Sequence, residues 1–121
     1  MTLSRKLINF ILIHTRLLFW LSFVGINFAL FSPSLGEGGE IYNLDIVIHY
    51  ILFFVFTGFA LLYFKKAALV LLLILISLFI PASEFIQEAF IPGRGYEFTD
   101  ILSGFAGMLS GFLTARKIDA S

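Results

Sequence analysis

The chain has 121 residues, 60% of them hydrophobic and 13% charged, with sixteen phenylalanines, no cysteine and a formal net charge of zero. Soluble domains carry about half apolar and about a quarter charged residues, so this chain lacks the polar surface to cover a water-soluble globule, and its mean hydropathy of +1.00 points to the bilayer as its solvent. A neutral balance gives no reason to expect a nucleic-acid partner, and the missing cysteines exclude disulfides, thiolate metal sites and cysteine nucleophiles.

A spanning helix needs about 20 apolar residues at about 1.5 Å rise each. Four segments qualify, at about 10–31, 44–64, 67–90 and 99–115. They predict an all-α, integral membrane four-helix bundle forming one domain over 1–121. The first segment follows Arg5 and Lys6, as a secretory signal would. It is too long for one, is interrupted by His14 and Arg16, and lacks a small-x-small cleavage site, so it is read as a retained helix. The apolar run after Arg16 spans only about 22 Å, a shortfall that snorkelling of Arg16 and tilting of the helix would cover. His14, near the basic end, is read as structural.

The connection SPSLGEGGE (32–40) is Gly/Pro/Ser punctuation. It is not a phosphate loop, because no strand precedes it and no Lys-Ser/Thr follows. The second segment opens with Asp45 and His49, which share a helix face at i, i+4. A short connection at Lys65-Lys66 makes an antiparallel hairpin with the third segment, whose Pro81 is expected to kink the helix just before Glu84 and Gln87. Glu88 stands one turn after Glu84. Arg94 follows in the turn PGRG, and Asp100 is placed to cap the fourth segment, with Thr99 as its competitor. That segment carries Ser103, Gly107 and Gly111 at spacing four, the small-xxx-small pattern of close helix packing.

Seven of the eight basic residues fall on one side of this topology and seven of the eight acids on the other. The positive-inside rule then makes both termini cytoplasmic and the 32–43 and 91–98 loops external. Three segments deliver Asp45, His49, Glu84, Gln87 and Asp100 to one external layer, beside Arg94. Ionisable groups inside a membrane are costly and mark functional sites by default. Glu88 and Glu97 read as solvated interfacial acids.

The ordered set DIVIH (Asp45 to His49), EFIQ (Glu84 to Gln87), IPGRGYEFTD (Arg94 to Asp100) and ILSGFAG resembles the VanZ-like family of small bacterial membrane proteins, over about 44–112. Two positions depart from the family pattern: Ile46 where a Lys is usual, and Gly104 where an Asn is usual. The resemblance implies a multi-pass protein of the bacterial cytoplasmic membrane and a link to glycopeptide (teicoplanin) susceptibility.

Three functions follow. In the first, Arg94, Gln87, His49, Glu84, Asp100 and Asp45 bind an anionic lipid headgroup or a lipid-linked cell-wall precursor, the guanidinium gripping phosphate or carboxylate. In the second, the same site modifies an envelope lipid, with His49 as general base oriented by Asp45, Glu84 as general acid and Arg94 stabilising developing charge. In the third, the small residues of the fourth segment dock another membrane protein. Binding is favoured, since no Ser or Cys nucleophile stands beside a base. No cofactor is expected; a hard divalent cation on Asp45, His49, Glu84 and Asp100 is chemically permissible but has no ligand-spacing signature. The topology predicts that cysteines introduced at Gly38 and Gly95 react with a membrane-impermeant thiol reagent in intact cells; labelling only after lysis would reverse the orientation.

Overall fold

The computed structural model describes residues 3–31, 42–64, 68–91 and 98–119, and the described residues form helices and no strand. The helices are α1 (Leu3–Ile13), α2 (Thr15–Phe31), α3 (Tyr42–Phe64), α4 (Leu69–Phe90) and α5 (Phe98–Asp119). The last three are each long and apolar enough to cross a membrane; α1 and α2 pass the same test only as a pair, bent by 81° at a short break.

The break corrects the expected single helix over 10–31. Neither Pro nor Gly causes it. His14 stands at the corner, where its backbone N–H is shared between the carbonyls of Phe10 and Ile11 at 3.1 and 3.2 Å. Its ring Nδ1 also donates to the Phe10 carbonyl at 2.8 Å, so side chain and backbone compete for one acceptor. α2 begins at Thr15, which puts Arg16 in its first turn rather than inside an apolar span. With 17 residues, α2 is about 25 Å long, slightly short of a typical hydrocarbon core.

Burial is inverted relative to a soluble protein. Large apolar side chains stand outward in stripes: Trp20, Val24 and Phe28 on α2, Leu71, Leu75, Leu78 and Phe85 on α4, and Leu102, Leu109 and Leu113 on α5. Ser83, Glu84, Gln87, His49, Thr57, Asp100 and Ser103 are buried. In water such stripes would be a liability; in a bilayer they are the lipid-facing surface.

The main apolar core lies between α2, α3, α4 and α5, with Phe19, Ile26, Leu30, Phe53, Phe56, Ile76, Ile80 and Ile101. Phe19 joins α2 to α3 through ring contacts with Phe56 at 5.8 Å and Tyr63 at 5.4 Å between centroids. At the end of the molecule that holds α1, a smaller cluster gathers Leu61, Leu62 and Ala115 under Ile11 and Leu12.

The tightest contact joins α3 and α5. Ser103 Oγ donates to the Ile46 carbonyl. A Cβ built on Gly107 would stand 2.3 Å from the Tyr50 carbonyl oxygen, and one on Gly111 2.6 Å from that of Phe54. Partner numbers rise together along the two helices, so they run parallel, as alternating spans two apart must. Small residues are what allow backbones so near each other. The Ser103–Gly107–Gly111 stripe thus packs inside this chain against α3, and docking of a second protein through it is not carried further.

Adding one methyl at this seam forces the backbones apart, and overpacking costs about 1–3 kcal/mol. Gly107→Ala is therefore expected to lower the melting temperature of the detergent-solubilised protein clearly. Gly25→Ala, whose Cβ meets nothing within 4 Å, should melt at or above the wild-type temperature.

Candidate functional site

α3 enters at Tyr42, and His49 lies two turns along it. α4 runs the opposite way, uninterrupted through Pro81, and brings Glu84 to the same level two turns before its end. α5 starts at Phe98, so Asp100 is the third residue of the helix and not its cap. That corrects the capping role expected for it, and its carboxylate still profits from the amide-rich end of the helix.

The three side chains meet. His49 Nε2 is 3.2 Å from Glu84 Oε1 and 3.7 Å from Asp100 Oδ2. One ligand atom from each residue lies within 4.8 Å of the others. Exposure is 2% for His49, 1% for Glu84 and 6% for Asp100, so all three are more than nine-tenths buried. A residue from each of three helices therefore contributes to one protected point, something no spacing along the chain displays.

Directly beneath lies an apolar floor. Phe53, Ile80 and Gly104 stand one helical turn deeper on the same three helices, and the first two are essentially fully buried. A Cβ on Gly104 would come within 3.0 Å of Ile80 Cγ2 and 3.1 Å of Phe53 Cδ2. The position is filled by its neighbours and has no room for a larger side chain. The cluster is closed toward the middle of the helices.

Gln87, expected in the ligand-binding set, links two helices. Its side-chain amide donates to the carbonyl of Leu30, tying α4 to the end of α2. Ser83 Oγ donates to the Ile80 carbonyl at 2.7 Å, and Ser103 is engaged with Ile46, so both neighbouring serines are committed to backbone acceptors. Glu88 is exposed. The side chain of Asp45 and the whole of Arg94 and Glu97 lie outside the described residues.

Beside the cluster, Ile46, Val47, Tyr50, Thr99, Leu102, Ser103 and Ala106 line an open groove of about 480 Å³ between the first turns of α3 and α5. Sequence reasoning did not single out Tyr50, whose hydroxyl donates to Ser110 Oγ at 2.7 Å and spans the seam between these helices. Its position next to His49 was the available signal.

Comparison with known protein families, curated proteins and solved structures gives no match to this chain.

Removing one member of a buried charged cluster costs about 3–5 kcal/mol, while replacing the whole by apolar groups is often neutral or stabilising. Thermal melts in detergent should show His49→Ala destabilised by about 3 kcal/mol on that basis. The triple variant His49→Leu, Glu84→Leu, Asp100→Leu should melt no lower than wild type. A triple variant that fails to fold would make the cluster a structural element rather than a site.

Proposed function

We propose that this chain is a VanZ-like protein of the bacterial cytoplasmic membrane that binds an anionic lipid headgroup or lipid-linked envelope precursor at the external ends of α3, α4 and α5. The observation that carries the reading is the convergence of His49, Glu84 and Asp100 in a protected pocket beside an open apolar groove. Groups so costly to bury are kept where they act on something. The imidazole and carboxylates offer hydrogen-bonding partners to the hydroxyls of a sugar or glycerol unit, and the groove takes the first part of an acyl or isoprenyl chain. Arg94, six residues before Asp100 in the connection from α4 to α5, adds a guanidinium for the phosphate. Retention of such a lipid would alter its presentation at the outer leaflet, where glycopeptide antibiotics meet their targets.

The resemblance supports this reading through DIVIH, EFIQ and the stretch from Arg94 to Asp100. Its two departures have structural counterparts. Gly104 is enclosed by Phe53 and Ile80, and Ile46 lines the groove while its carbonyl accepts from Ser103.

A second reading, an enzyme acting on the same lipid, is favoured by one observation: His49 Nε2 stands 3.2 Å from Glu84, an arrangement suited to proton transfer. It ranks second because Ser83 and Ser103, the hydroxyls flanking the cluster, donate to backbone carbonyls.

Mass spectrometry of lipids co-purifying with the protein is expected to find one anionic or polyprenyl-phosphate lipid in near-stoichiometric amount. Asp100→Asn with Glu84→Gln, and separately Arg94→Lys, should lose most of it, while the exposed Glu88→Gln retains it. Wild-type protein that carries no enriched lipid would overturn the reading. Conversion of the lipid during incubation would promote the enzyme.

A further inference from the structure

We propose that His49 Nε2, one carboxylate oxygen of Glu84 and one of Asp100 hold a single divalent transition-metal ion, whose open coordination positions face the headgroup phosphate. The ion's residence rests on the geometry alone; its contact with phosphate rests on the binding reading above.

The donor atoms fit the role. Imidazole nitrogen and carboxylate oxygen bind first-row metals at about 2.0–2.2 Å, which places neighbouring ligand atoms about 3–3.5 Å apart. The 3.2 Å separation of His49 and Glu84 lies inside that range, the 3.7 Å to Asp100 lies just above it, and all three ligand atoms lie within 4.8 Å of one another. The three ligands come from three helices that the Gly107 and Gly111 seam and the Ile80–Phe53 contact hold in register. The nitrogen donor decides the class of metal: Ca²⁺ takes six to eight oxygens, whereas a mixed imidazole and carboxylate set suits Mn²⁺, Zn²⁺ or Fe²⁺.

Charge argues in the same direction. Two carboxylates and an imidazole bring ligand atoms within 4.8 Å of one another at a point more than nine-tenths buried. Like charges so close in a poorly hydrated place are stabilised by a nearby positive charge. A divalent cation supplies it in full. It also draws in a phosphate, which carboxylates repel and a metal ion attracts. With Phe53, Ile80 and Gly104 closing the cluster from below, the ion's remaining positions face the ends of the helices. Three protein ligands with open positions is the pattern of sites that bind or polarise a ligand, as opposed to closed structural ones.

The test uses the full-length protein in detergent, stripped with EDTA and given Mn²⁺ alone. Titration calorimetry should find one Mn²⁺ per chain, and electron spin-echo spectroscopy of the bound ion should show modulation from an imidazole ¹⁴N. Loss of an outer-shell partner already costs metal sites about 10–100-fold in affinity. Glu84→Gln and Asp100→Asn should therefore weaken binding about tenfold or more. His49→Gln should abolish the ¹⁴N modulation, and Glu88→Gln should change neither. Circular dichroism establishes that each variant is folded. Folded wild type that binds neither Mn²⁺ nor Zn²⁺, or variants that bind as well as wild type, would overturn the ion and leave a shared proton as the counter-charge. Lipid retention measured with and without EDTA separates the two proposals. Metal without lipid leaves the ion standing and removes the headgroup reading; lipid retained without any metal does the reverse.

Discussion

The meeting of His49 and Asp100 depends on the backbone contact between α3 and α5. Gly107 faces the Tyr50 carbonyl and Gly111 that of Phe54, at distances that would leave no space for even a methyl group. In a membrane there is little hydrophobic force between helices, so association rests on packing and on polar contacts. Small residues make both available by letting two backbones meet. Because α3 and α5 run parallel here, their first turns lie at one end, and the seam that joins Gly107 to Tyr50 also sets Asp100 beside His49, one to two turns away.

α4 completes the arrangement from the opposite direction. Its antiparallel run carries Ser77 to Met108, Ile80 to Gly104 and Glu84 to the cluster, in a steady register. α2 is held to it by Gln87 on Leu30. A glutamine amide buried among apolar helices needs a partner, since an unsatisfied one costs about 1–3 kcal/mol, and the last carbonyls of α2 need donors for the same reason. Each solves the other's problem. That contact is made at the end of α2, where a backbone carbonyl is available.

Much of this was legible in the chain. The three long apolar runs gave α3, α4 and α5 to within a few residues, and their order fixed which ends would lie together. The small-xxx-small pattern identified a packing face, and the structure supplies α3 as what it packs against. His49, Glu84 and Asp100 could be assigned to one layer from helix direction alone. Their facing one another could not, because azimuth depends on the register of three helices and no residue spacing encodes it. Two features were hidden for a different reason. The corner at His14 lacks Pro and Gly, and comes from a ring nitrogen competing with the backbone for the Phe10 carbonyl. Gln87 shares a face with Glu84 in sequence, and its donation to the Leu30 carbonyl depends on how α2 lies against α4, which no spacing encodes.

The corner at His14 also accounts for how so short a chain keeps its charges sorted. A single helix through 10–31 would have to place Arg16 within the apolar layer. By turning 81°, the chain sets α1 across the end of the bundle, where Ile11 and Leu12 cover Leu61, Leu62 and Ala115 while Arg5 and Lys6 stay exposed. Arg16 then falls at the beginning of α2, at the same end as Arg116 and Lys117. The basic residues described all gather at this end and are exposed, whereas Glu84 and Asp100 at the other end are buried. Exposed cations at a membrane surface are solvated and need no explanation. Two carboxylates withdrawn from water and aimed at one imidazole do, and packing does not supply it, because apolar residues of the same volume would fill the space at lower cost. The cluster is the part of the molecule that stability alone would not produce.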